Sequence, residues 1–74
     1  MAIRWTRWEP GHYVARTIRG EYAIRRVVRD GGEAWHVYTG AGVSIGLREH
    51  ERPIGVAGRL DAAKELALQA RAAP

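Results

Sequence analysis

The sequence predicts a small α+β domain, in which a four- or five-stranded antiparallel meander carries one C-terminal helix on one face. Turn signals rich in glycine divide most of the 74-residue chain into segments of strand length. Those segments are rich in Trp, Tyr, Ile and Val, which suit a pleated surface. Residues 58–73 have helix formers at nearly every position and no β-branched residue. Because the turns are short, we expect consecutive strands to pair antiparallel.

The elements follow from the turn signals, and one domain covers 1–74. Strands are expected near 3–8, 12–18, 21–28, 34–39 and 43–48, a connector over 49–58 and a helix near 59–72. Within the connector, Ile54–Ala57 has the composition of a short extra strand. The helix carries an apolar stripe at helical spacing, formed by Leu60, Ala63, Leu66, Ala67 and Ala70.

The turns also predict a register. Hairpins closed at Arg19-Gly20, Gly31-Gly32 and Gly40-Ala41-Gly42 pair Thr17 with Tyr22, Val28 with Trp35 and Val37 with Ile45. The face that the helix then covers contains Tyr13, Ala15, Tyr22, Ile24, Val28, Trp35, Val37, Val43, Ile45 and Leu47. Arg26 also falls on that face. We expect Arg26 to lie beyond the end of the helix or to pair with Asp61 or Glu65.

The second face is left open, and it is the main candidate site. It collects His12, Val14, Arg16, Ile18, Ala23, Arg25, Val27, Arg29, His36 and Tyr38. Guanidinium groups bind phosphate and aromatic rings lie against bases, so the predicted nucleic-acid contacts are Arg16, Arg25, Arg29, His36 and Tyr38. DNA is expected in preference to RNA. Two other interpretations are an ordinary solvated sheet face and a protein interface.

The charge distribution favours a negatively charged partner. The net charge is +4, and residues 1–29 carry seven arginines against two glutamates, whereas residues 30–74 carry five basic and six acidic groups. All of the excess positive charge therefore lies in the first two-fifths of the chain. Codon usage in a GC-rich genome explains the abundance of arginine equally well.

The N-terminal stretch RWTRW alternates arginine with tryptophan, the residue types enriched at interface hot spots. Trp5 and Trp8 have opposite strand parity, so both cannot be buried in a regular strand. We expect one exposed tryptophan or a bulge. A protein interface, with a host protein or a second copy of this chain as partner, would use Trp5, Trp8, Val14, Ile18, Val27 and Tyr38.

The sequence gives little support for a metal site, an enzyme or a membrane protein. There is no cysteine, and His12, His36 and His50 lack ligand spacing, although the first two are expected to be neighbours on the open face. Ser44 is the only serine and no motif places a base beside it. We therefore expect that the protein has no catalytic residue, metal or cofactor and that it is not an enzyme. No apolar run approaches the length of about 20 residues that spans a bilayer, so the predicted location is cytoplasmic without a membrane partner.

Two resemblances extend this interpretation. The pattern W…PGHYVAR…GEYAIRR…LDAAKELA, with Leu60, Asp61 and Ala63 opening the helix, resembles small accessory proteins of actinobacterial phages. The order of sheet then helix resembles, in topology, DNA-binding domains of the AP2 and phage-integrase arm-binding type. That second resemblance implies a three-stranded sheet in the DNA major groove. Its contacts would come from Arg16, Arg25, Arg29 and His36.

Overall fold

The computed structural model describes residues 3–18, 20–47 and 52–72, and shows a five-stranded antiparallel sheet with one helix packed against it. In chain order the elements are β1 (Thr6–Glu9), β2 (His12–Thr17), β3 (Gly20–Arg29), β4 (Gly32–Thr39), β5 (Gly55–Ala57) and α1 (Leu60–Ala72). The strands lie side by side in sequence order, and the helix contacts β3, β4 and β5. The predicted α+β meander with a C-terminal helix is confirmed.

The turn between β3 and β4 lies one residue earlier than predicted. Arg29 pairs with Gly32, so Asp30 and Gly31 form the turn in place of Gly31 and Gly32. Gly31 has a φ of 78°, a conformation that glycine adopts without the steric cost of a Cβ. The register therefore differs from the predicted one by two residues, and Trp35 lies opposite Arg26.

The hairpin between β2 and β3 differs from the prediction in the same way. Thr17 pairs with Gly20, where the prediction paired Thr17 with Tyr22. The Thr17 hydroxyl also donates a hydrogen bond of 3.0 Å to the Gly20 carbonyl. Ile18 lies in this turn, and Arg19, which the prediction placed in the turn, is outside the described residues.

The predicted division into two faces survives both corrections, because a shift of two residues returns every side chain to its original face. The core contains Ala15, Tyr22, Ile24, Trp35 and Val37 from the sheet, with Ala63 and Ala67 from the helix. Leu60 and Leu66 of the predicted stripe pack against it. The helical spacing of those residues is therefore confirmed as the core-facing side of α1.

The predicted strand over 43–48 is wrong. Residues 41–45 form turns, and the fifth strand is β5, within the predicted connector, where Gly55 pairs with Val37. The suggestion of a short strand at Ile54–Ala57 is thus confirmed. Two residues that were expected in the core are exposed. Ile45 lies in the turns over 41–45, and Val28 lies near the end of β3.

The N-terminal tryptophans separate as their parity predicted. The pairing of β1 with β2 shifts between Arg7 and Glu9, which marks a bulge. Trp5 packs against the core with its ring 6.4 Å from that of Tyr22, in an edge-on arrangement. Trp8 remains 51% exposed. Both the bulge and the exposed tryptophan are therefore confirmed.

Arg26 pairs with neither predicted partner. Its Nη1 lies 3.7 Å from Glu33 Oε2 on β4, and its backbone N–H donates to the Gly11 carbonyl at 2.8 Å. The shifted register explains the correction, because it brings β4 residues near 33 beside Arg26. Asp61, one of the expected helix partners, lies 3.3 Å from Arg59 instead.

Candidate nucleic-acid interface

The open face is the side of the sheet opposite α1, and one cross-strand row organises it. In the ladder, His12 of β2 pairs with Arg25 of β3, Arg25 pairs with His36 of β4, and His36 pairs with Val56 of β5. Directly paired residues project to the same side of a sheet. Arg25 therefore stands at the middle of the central strand with a histidine on each side, so His12 and His36 share the open face as expected but are separated by β3.

The next row is mainly apolar. Val14, Ala23 and Tyr38 are paired across β2, β3 and β4, and the Tyr38 ring lies 6.4 Å from the ring of His36. Ala23 is fully buried, so this part of the face is not open to solvent. Ile18, also expected on this face, is 95% exposed in the turn after β2. The row therefore provides half-buried aliphatic and aromatic surface beside Arg25.

Arg25 and Arg29 are two of the cations on this face. Both are exposed and both project from β3, four residues apart, which separates them by about 13 Å along the strand. Among the described residues, neither guanidinium has a carboxylate within 4.0 Å. Arg29 borders a shallow depression that His36 and the acidic residues Asp30 and Glu33 also line. The two arginines can therefore accept an external anion without first breaking an ion pair.

Arg16 has a different environment from these two arginines. It is paired in the ladder with Glu21, whose carboxylate accepts hydrogen bonds from the Ser44 hydroxyl and from the backbone N–H groups of Gly42, at 3.0 Å, and Ser44, at 3.3 Å. The pKa of Glu21 is lowered, chiefly by the Ser44 hydroxyl, with the Arg16 charge a smaller cause. Glu21 is thus held as an anion that offsets the charge of Arg16.

The same carboxylate contacts the segment that was expected to form a strand. Its three hydrogen bonds hold the turns around Gly42 and Ser44 against the end of β3. Gly40 and Gly42 have φ angles of 137° and 87°, which let the chain bend there. Sequence reasoning missed this contact, because Glu21 and Ser44 are 23 residues apart in the chain.

Arg4 is a basic residue of this region that the prediction left out. It lines a depression of about 330 Å³ together with Thr6, Val14, Arg16 and Ser44. Thr6 and Val14 are paired in the ladder, so this depression lies at the β1 side of the open face. It extends the positive surface toward the N-terminus.

Trp8 and His12 form a stacked pair at the β1 side of the row. Their ring centroids lie 5.0 Å apart at a tilt of 33°. His12 is buried, its Nδ1 lies 3.8 Å from a carboxylate oxygen of Glu9, and its Nε2 has no hydrogen-bond partner among the described residues. Burial lowers the pKa of His12, the Arg25 charge lowers it further, and Glu9 opposes both. His12 is therefore a neutral ring that supports Trp8.

The structure thus brings together most of the predicted nucleic-acid residues. Arg25, Arg29, His36 and Tyr38 share the open face, and Arg16 shares it beside Glu21. Of the alternative interface, Trp8, Val14, Val27 and Tyr38 lie on or beside this face, whereas Trp5 packs into the core and Ile18 lies in a turn. His50 is outside the described residues.

A metal site and a membrane-spanning helix are two other features that bear on function. Within residues 3–18, 20–47 and 52–72, no three potential metal ligands come together. No helix in the described part of the chain is long and apolar enough to cross a membrane.

No protein-family model, curated protein or solved structure matches this chain. The resemblances to phage accessory proteins and to AP2-type domains therefore stay predictions. Function is therefore inferred from the geometry of the open face.

Proposed function

We propose that this protein binds nucleic acid through the open face of its sheet, with Arg25 and Arg29 as its principal phosphate contacts. The observation that carries the proposal is the presence of two exposed guanidinium groups on the central strand, neither of which has a carboxylate within 4.0 Å among the described residues. A planar guanidinium matches two phosphate oxygens, and the net charge of +4 adds long-range attraction.

The surroundings of the two arginines support this use. Because both project from one rigid strand, little conformational entropy is lost beyond that of the side chains themselves. His36 and Tyr38 give polar and aromatic surface beside Arg25. On the other side of the sheet, by contrast, Arg26 and Arg59 each lie near a carboxylate.

The experiment is fluorescence anisotropy of labelled single-stranded and duplex DNA, titrated with protein at low and at physiological salt. The test variant is Arg25→Gln/Arg29→Gln, and the matched control is Arg26→Gln/Arg59→Gln, which loses the same charge on the opposite side. A hydrogen bond to a charged group contributes about 1.5–3 kcal/mol, so the test variant should bind at least about tenfold more weakly at low salt. Its slope of log affinity against log salt should also become shallower by one to two units, about 0.7–0.9 per phosphate contact.

Two results would count against the proposal. If the control loses as much affinity as the test variant, net charge and not the open face drives the association. If the unaltered protein binds neither form of DNA at low salt, the open face does not serve this function.

Protein association is a second candidate, favoured by the exposed apolar groups of the same face. Val56 is 53% exposed and Trp8 51% exposed, one at each side of the Arg25 row. An apolar interface of this kind responds little to salt, and a second copy of the chain is the simplest partner. Light scattering across a concentration series should then show a dimer that Val56→Asp dissociates, whereas a monomer at every concentration would exclude self-association.

A further inference from the structure

We infer that the nucleic acid bound by this face is single-stranded, with one base stacked on Trp8. This inference rests on the proposed function and names its substrate class. It starts from the width of the sheet. Five strands about 4.8 Å apart span about 19 Å, whereas the major groove of B-DNA is about 12 Å wide and admits a helix or a two-stranded ribbon.

The position of Arg25 and Arg29 also argues against binding in a duplex groove. Arg25 and Arg29 project from the central strand, with two strands on either side of them. The whole face is too broad to enter a groove, so it cannot deliver those side chains to base edges in an intact duplex. A single strand can instead lie flat across the face, with its phosphates on the arginines and its bases turned toward the protein.

Trp8 offers such a base a prepared surface. The bulge in β1 places the indole over His12, at 5.0 Å, and leaves the indole 51% exposed. His12 is buried beneath it, so one face of the indole has support and about half of its surface remains available. Exposed aromatic rings beside cations are the combination that binds single strands without sequence preference.

Aromatic rings also lie on the other side of Arg25, on β4. Trp8 and His12 lie on one side, and His36 with Tyr38, whose rings are 6.4 Å apart, lie on the other. His12 and His36 are two strand spacings apart, about 10 Å. His12, Arg25 and His36 thus stand in line, perpendicular to the strands, with Trp8 against His12 at one end and Tyr38 in the next row beside His36. This line gives the path that we infer for the bound strand.

The test compares three labelled probes: a mixed-sequence single strand, the duplex that it forms with its complement, and an abasic deoxyribose-phosphate strand with the same number of phosphates as the single strand. The unaltered protein should bind the single strand more tightly than the duplex. Trp8→Ala should weaken binding of the single strand at least about fivefold, the loss expected for one stacked base. Trp8→Phe should retain most of the affinity. The abasic strand should not distinguish Trp8→Ala from the unaltered protein, because that strand has no base to stack.

A crosslink supplies a readout that does not depend on a variant folding. Irradiation of a single strand containing 5-iodouracil should attach it to Trp8, as mapped by mass spectrometry. Crosslinks confined to residues away from the Trp8–His12 pair, or an unchanged affinity for Trp8→Ala, would overturn this inference. In that case binding that still requires Arg25 and Arg29 would leave the proposed function standing. Absence of binding to all three probes would contradict both this inference and the proposed function.

Discussion

Replacing Ile24 by alanine tests the core of this fold most directly. Ile24 lies on the central strand β3, is fully buried, and is paired in the ladder with Tyr13 on one side and Val37 on the other. Substitution removes three carbon atoms from a position that the helix and both neighbouring strands enclose. The backbone hydrogen bonds of the ladder do not depend on the side chain. The expected loss of stability is therefore one of packing.

The magnitude follows from the carbon atoms removed. At about 0.8 kcal/mol for each buried carbon, the transfer contribution is about 2.4 kcal/mol, and incomplete collapse of the cavity adds to it. We expect the free energy of unfolding to fall by about 3 kcal/mol. A domain of 74 residues has a total stability of roughly 4–11 kcal/mol, so this single change removes a large share of it.

Ile18→Ala is the matched control, because it makes the same chemical change at a side chain that is 95% exposed. We expect it to change stability by less than about 0.5 kcal/mol. Val28→Ala is a second control: strand alternation places Val28 on the core face, yet its side chain is 69% exposed, so a small effect is expected there too.

Urea unfolding followed by circular dichroism measures all three variants, with an unchanged dependence on urea as evidence that the unfolded states are comparable. Equal costs for Ile18→Ala and Ile24→Ala, or a cost above about 2 kcal/mol for Val28→Ala, would refute the assignment of the core.

The remaining predictions concern two titratable groups near the open face. Because the folded pKa of His12 is lowered from 6.5, the unfolded chain binds that proton first as the pH falls, so stability should decrease as the pH drops through 6.5. His12→Phe should reduce this slope in urea titrations above and below that pH. Glu21→Gln should speed hydrogen exchange at the Gly42 and Ser44 amides, as measured by NMR, because the carboxylate accepts both.

Each of these has a result that would count against it. A slope that His12→Phe leaves unchanged would place the titrating group elsewhere. Exchange that accelerates equally in the core strands would mean that Glu21 stabilises the whole fold and not the turns over Gly42 and Ser44. Lowering the pH should mimic Glu21→Gln in the unaltered protein, but only below the ordinary carboxyl range, since the pKa of Glu21 is lowered from 4.5.

Much of the open face was predictable because side chains alternate along a strand. The registers of the two hairpins each differ from the prediction by two residues, yet Arg25 and Arg29 remain on the face with His36. The parity of Trp5 and Trp8 likewise predicted a bulge or an exposed ring. Local composition sufficed for these features because each depends on a period of two and not on the turn residues chosen.

Long-range contacts decided the remaining features of the site. No local pattern indicates that Glu21 accepts hydrogen bonds from residues 42 and 44, yet this contact holds the turns in the segment that was expected to form a strand. The Glu21 carboxylate also partly neutralises Arg16. The partner of Arg26 likewise depends on the hairpin register, which a single turn position changes.

The sequence by itself determined the class of fold, the helix and its buried stripe, and the sorting of side chains onto two faces, because periodicity and turn chemistry act over neighbouring residues. Only the tertiary structure decided which segment forms the fifth strand, where Trp8 rests, and which arginines lie near a carboxylate. Those outcomes depend on side chains far apart in the chain that meet only once the sheet has formed.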